Sequence, residues 1–240
     1  MRWVALLVVA AACGHLRFED VIDATDQSTI DASGCVAPAG DWQLEQVNSG
    51  SNTASTIGVT MTSTTAGDLL VVAVQGEAPG IATAVTDDAG TTYTLISGTS
   101  SVEATNADEL ELWYAPAVTA GATTINVTYS TNALAIVAWE FRTPRAAIVD
   151  GEGELSNQAT TTTPVSPSIT TRCAGEIVIA ISATFQINAI EPGEFTEDSG
   201  ANTNGWAHLT DPHAPAGMHV ATWTADSDGF CSSAAAFIVE

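Results

Sequence analysis

Thr64-Thr65-Ala66-Gly67-Asp68-Leu69-Leu70-Val71-Val72-Ala73-Val74 and Arg172-Cys173-Ala174-Gly175-Glu176-Ile177-Val178-Ile179-Ala180-Ile181 are two versions of one phrase, 108 residues apart. Each opens with small residues and a glycine suited to a turn, passes one acidic residue and continues as an unbroken apolar run. The runs are too short for confident helices and lack polar alternation, so each predicts a central strand covered on both faces. Leu134-Ala-Ile-Val-Ala-Trp139 reads the same way.

Around these runs the pattern is that of half-buried strands. Ile125-Asn-Val127-Thr-Tyr129 alternates, which places Ile125, Val127 and Tyr129 inward and Asn126 and Thr128 outward. Glu109-Leu-Glu-Leu-Trp-Tyr114 begins likewise with Leu110 and Leu112 inward, and Tyr93 and Leu95 repeat the alternation after the turn Asp87-Asp-Ala-Gly90. Strands recur about every ten residues from Trp42 onward, separated by Gly, Asn, Asp and Pro, and no amphipathic helix of ten residues or more is found. The expectation is an all-β fold: a two-sheet antiparallel β-sandwich, jelly-roll or Ig-like, with a weak internal repeat. The repeat suggests halves at 54–141 and 163–240 joined by the Thr/Pro-rich connector Ala159-Thr-Thr-Thr-Thr-Pro-Val-Ser-Pro167. Two tandem Ig-like domains and one large sandwich both fit. The short second half, irregular over 185–216, favours a single sandwich spanning 42–240.

Charge bounds the partners. The chain has 28 acidic residues against 5 basic ones, a formal net charge of −23, and contains no lysine. Nucleic-acid affinity depends on Lys and Arg neutralising phosphates, so nucleic acid is excluded as a partner, and anionic lipid surfaces are repelled as well. Without lysine there is no P-loop and no Schiff base. Neutral glycans, cations and envelope proteins remain.

Met1-Arg-Trp-Val-Ala-Leu-Leu-Val-Val-Ala-Ala-Ala-Cys13 puts one positive charge before an apolar run and small residues before a cysteine. The run is about half the ~20 residues of a membrane-spanning helix, so residues 1–12 are expected to be a signal peptide. The small residues before Cys13 resemble the lipobox of bacterial lipoproteins, although Ala10 stands where that family usually has leucine. The resemblance implies that Cys13 is lipidated, becomes the new N-terminus and joins the protein to a membrane of the bacterial cell envelope. Ordinary A-x-A cleavage would instead release a secreted protein. Residues 13–41, with Glu19, Asp20, Asp23, Asp26, Asp31 and Asp41 among small polar residues, are expected to be a disordered acidic tether. About 25 such residues would reach roughly 25–30 Å. With Cys13 acylated, Cys173 and Cys231, each just before an expected strand, are the candidate disulfide and Cys35 is left over. Pairing Cys13 with Cys35 is the alternative.

The succession Gly67-Asp-Leu-Leu-Val-Val-Ala-Val74, Val85-Thr-Asp-Asp-Ala-Gly-Thr-Thr-Tyr93, Leu112-Trp-Tyr-Ala115 and Ala234-Ala-Ala-Phe-Ile-Val239 resembles a poorly characterised β-sandwich module of secreted bacterial proteins. Such modules often accompany glycan-active or fibronectin-like domains. The resemblance implies binding or adhesion and carries over no catalytic residues.

Candidate chemistry is sparse. His208, His213 and His219 lie within twelve residues, but in no zinc-site spacing. Asp87 with Asp88, and Asp226 with Asp228, form oxygen-rich turns of the kind calcium takes, although turn chemistry alone explains Asp and Gly there. Glu152 with Glu154, and Glu191 with Glu194, offer carboxylate pairs that any acidic chain supplies. No G-x-S-x-G elbow occurs. Trp206, beside Asn202, Asn204 and Gly205, is expected to be exposed and is the candidate ligand contact, whereas Trp139 and Trp223 belong to apolar strands. The expected function is that of a non-enzymatic, lipid-anchored surface protein with a recognition or structural role, glycan binding included. The alternative is a calcium-dependent glycan-active enzyme or its accessory domain.

Overall fold

A computed structural model describes residues 35, 42–105, 107–143, 145–184, 186–198 and 204–239. The strands of the first half are β1 (Gln43–Thr60), β2 (Leu69–Glu77), β3 (Ala82–Asp87), β4 (Thr94–Leu95), β5 (Ser101–Glu103), β6 (Asp108–Ala115) and β7 (Thr124–Arg142). Those of the second half are β8 (Ala147–Thr161), β9 (Ile169–Thr170), β10 (Ile177–Ala183), β11 (Ile187–Ile190), β12 (Thr196–Glu197), β13 (Gly205–Leu209), β14 (Met218–His219), β15 (Trp223–Ala225) and β16 (Asp228–Val239). No helix occurs among the described residues.

All seven strands of the first half join one antiparallel sheet, ordered β1-β7-β2-β6-β4, with β3 added to β7 and β5 to β6. The second half makes a five-stranded sheet, ordered β8-β16-β10-β13-β12, and two small pairs, β11 with β15 and β9 with β14. The two main orders are equivalent strand for strand, so the repeat visible at Thr64 and Arg172 is a repeat of topology. Its boundary falls between Arg142 and Ala147, and not in the Thr/Pro-rich connector, because Ala159–Thr161 belong to β8. The glycines of the repeated phrase are required by the backbone: φ is 90° at Gly67 and 72° at Gly175, a region open to glycine at no steric cost.

The two sheets pack face to face. Leu69, Val71 and Ala73 of β2 share one buried cluster with Ile177, Ile179 and Ile181 of β10, together with Trp139, Phe141, Trp206 and Phe237. The alternate residues Leu70, Val72 and Val74 point the other way and meet Ile57, Val59, Val85, Ile125 and Val127. That second contact needs β1 and β7 to bend so that their far arms lie over β2. The register of their pairing is interrupted at Ser51/Ala54 and Ala54/Thr56, and an added Cβ on Gly50 would sit 2.7 Å from the Gly58 carbonyl. In the second half Ile187, Ala221 and Trp223 cover Val178 and Ala180 from outside. Both central strands are therefore buried on both sides, as their apolar runs imply, and each fully buried Leu, Ile or Val contributes about 1.5–3 kcal/mol relative to exposure. Ile125, Val127 and Tyr129 are buried as expected, but Leu95 is exposed and Glu109 and Glu111 are buried.

The disulfide departs from expectation. Cys173 is joined to Cys35, with Cα atoms 5.7 Å apart, and Cys231 is a free, buried thiol. Cys173 precedes the start of β10, whereas Cys231 pairs with Ala183 at its far end. Six residues of extended strand, about 20 Å, separate the two ends. Cys231 instead faces the inter-sheet core, where burial pushes its thiol up to about 12.

Candidate functional site

A concavity with polar groups lies at the loop from β2 to β3. Pro79, Gly80, Ile81, Val102, Glu109 and Ser130 line a cleft of about 340 Å³. Its loop is held by carboxylates from β6. Gly80 N–H donates to Glu109 at 3.0 Å, and Ala82 N–H donates to Glu111 at 3.2 Å, as does the Trp113 indole N–H at 2.9 Å. Ile81 and Ser130 exchange further bonds, Ile81 N–H to the Ser130 hydroxyl and Ser130 N–H to the Ile81 carbonyl, each 2.9 Å. The Tyr129 ring packs flush against Gly76, where an added Cβ would meet it at 2.0 Å. Burial raises the proton affinity of Glu109 and Glu111. The result is an apolar rim of Pro79, Ile81 and Val102 around the polar edge of Glu109 and Ser130.

The residues singled out from sequence are scattered. Trp206 is fully buried in the inter-sheet cluster, where β13 pairs it with Ile181, so the expected exposed ligand contact is corrected. Asp87 accepts bonds from Ala89 N–H, Thr91 N–H and the Tyr93 hydroxyl. Burial works against its charge, yet these bonds, Thr91 first, hold its carboxyl below the ordinary value. Asp88 accepts from Thr123 N–H at 2.8 Å, the Thr123 hydroxyl at 2.6 Å and Thr124 N–H at 3.1 Å, which hold it at about 2. Both oxygen sets fasten the β3 turn and the start of β7. Asp226 and Asp228 flank the turn between β15 and β16, where Gly229 N–H donates to Asp228. Among the described residues no group of three His, Cys, Asp or Glu is placed to hold a metal ion. Cys13 and the rest of the expected tether lie outside the described residues, Cys35 excepted.

Two of the three candidate histidines, His208 and His219, are buried in separate relays, whereas His213 is exposed and its backbone N–H donates to Asp211. His208 Nδ1 lies 2.8 Å from Asp198, whose same oxygen accepts the Trp139 indole N–H at 2.8 Å. His219 Nδ1 lies 2.9 Å from Glu194, and its Nε2 is 3.1 Å from the Thr171 hydroxyl. Carboxylate, imidazole and hydroxyl in line have the order of a nucleophile triad. Thr171 is buried, however, and its oxygen exchanges bonds with Gly217, while the adjacent cavity is lined by Glu191, Glu194 and Phe195 and not by Thr171. The relay clamps β9 and β14 to the Pro192-Gly193 turn.

Two acid pairs were missed in the sequence. Asp68 and Glu176, the acidic residues of the repeated phrase, are both buried, and each has one carboxyl oxygen without a partner. Burial, then neighbouring Glu140 and Glu45, raises Asp68 to about 6 against the opposing charge of Arg142. Burial, with Asp150 beside it, raises Glu176 to about 7, although Cys173 N–H donates to it at 2.7 Å. Arg172 is paired with Asp150 on its open side. The signal was present in the repeat itself, where a turn, an acid and a fully apolar strand recur together.

No family model and no curated protein matches this chain. Among solved structures it is similar to a chain in the atomic structure of Sulfolobus Turreted Icosahedral Virus, with a TM-score of 0.26 and 8% identity over 83% of this chain and 91% of that one, a likeness too slight to inform function.

Proposed function

We propose that the protein is exported, held to a bacterial envelope membrane by a lipid on Cys13, and acts without catalysis as a recognition or structural module. The observation that carries this is the Cys35–Cys173 disulfide. Such bonds persist in oxidising compartments, and this one engages Cys35, the cysteine nearest Cys13 in the chain. Cys231 is shut inside the sandwich, so neither competes with a lipid for Cys13. The recognition surface we assign is the Pro79–Ile81 cleft, with neutral glycans as the ligand class, because its charge is limited to one buried carboxylate. Fatty-acid labelling of the full chain in a bacterial host should mark the wild type and spare Cys13→Ser. An unlabelled wild type found in the medium would remove the anchor. On a neutral glycan panel Ile81→Arg should lose binding while melting unchanged. Release of reducing sugar from a polysaccharide panel, dependent on calcium, would instead support the glycan-active enzyme.

A further inference from the structure

The sheet edges of the molecule are not equally protected. Exposed edges offer unpaired N–H and C=O groups, and proteins guard them with short strands, charge, proline or bulges. Edges β4 and β12 are two residues each. Edge β8 is long but carries Asp150, Glu152 and Glu154 on alternate positions, and its side chains Ser156 and Asn157 accept the N–H groups of Val102 and Ala104. Edge β1, its counterpart in the first repeat, is the longest of the four and pairs only with β7 among the described strands. From Gln46 to Thr60 it has no charged residue and no proline, in a chain of net charge −23. Its pairing with β7 is regular from Gln46↔Glu140 to Ser51↔Ala135, between two bulges. Ser49 and Ser51 are exposed there, and Gln46 and Asn48 turn inward onto Thr62 and Met61.

We propose that β1 is a homotypic interface, where the Gln46–Ser51 edge of one copy pairs antiparallel with the same edge of a second copy about a two-fold axis. A second copy is the occupant because a two-fold axis sets this segment against itself, and uncharged polar residues are self-complementary. Elsewhere two chains this acidic repel each other, while along this edge the backbones can approach without opposing like charges. The pairing joins the two seven-stranded sheets into one continuous sheet. It does not depend on the lipid or on the cleft.

The test is sedimentation of the full chain in a neutral detergent across micromolar concentrations, with Ser49→Asp/Ser51→Asp as the variant. Like charges placed opposite one another across a strand pair should weaken association at least about tenfold. Wild type should sediment as a dimer and the variant as a monomer with an unchanged melting temperature. Should the variant fold poorly, Ser49→Cys is the second probe: it should crosslink copies of itself with a short bismaleimide, and Glu154→Cys on β8 should not. A wild type that remains monomeric throughout, a dimer indifferent to the aspartates, or crosslinking through Glu154→Cys alone would each overturn the proposal.

Discussion

Asp68 and Glu176 hold the same place in the two halves, and both keep a carboxyl group inside the fold beside a second carboxylate. With Asp108, which burial and then Glu103 and Asp228 raise to about 6, they bind protons more tightly folded than unfolded. The stability they contribute is complete below the ordinary carboxylate range and is lost as pH rises through about 6 to 7. Asp88 acts oppositely: its contribution is present above that range and is lost only as pH falls toward about 2. Calorimetry from acid to alkaline pH should therefore show melting highest near about pH 4 and falling toward neutrality, and a maximum at or above pH 7 would contradict it. Glu176→Gln keeps an acceptor for Cys173 N–H but cannot ionise, so it should raise the melting temperature at pH 8 by about 2–4 °C and change it little at pH 4. The burial of Asp68 and Glu176 was missed, although the repeated phrase writes each acid next to a fully apolar strand. The burial of Trp206 was missed too, since its neighbours Asn202, Asn204 and Gly205 are polar and only the register of β13 on β10 turns the indole inward.

The turn between β3 and β4 and the entry to β7 are held by two aspartates whose oxygens already have donors. Asp88→Ala should lower the melting temperature, and calcium or chelator should leave the wild type unmoved. A calcium-dependent rise abolished by Asp88→Ala would place a cation there. On β13, Trp206→Ala should cost about 3–5 kcal/mol in chemical denaturation, the loss expected for a large core side chain, whereas a loss below ~1 kcal/mol would place the indole outside the core. Strand identity was readable wherever one strand's pattern decides it, as in β2 and β10. The bend of β1 and β7 was not, because it depends on bulges in pairings between distant segments. The same long-range geometry puts Cys173 and Cys231 at opposite ends of β10, which their spacing in the chain does not reveal.

As a whole, the molecule is two equivalent strand sets closed against each other, each giving one main sheet to a shared core that holds most of the large side chains. Its described external features include an acidic surface, the cleft at Pro79–Ile81 and the uncharged β1 edge. The account of where it works rests on the fates of four cysteines. The most direct test is mass spectrometry of the natural protein, denatured and alkylated without reductant and then digested. Cys231 alone should carry the alkylating group, Cys35 and Cys173 should appear as one linked peptide, and Cys13 should be a lipid-bearing N-terminus. Alkylated Cys13 on a chain that still begins at Met1, with Cys35 and Cys173 also alkylated, would contradict both the export and the anchor.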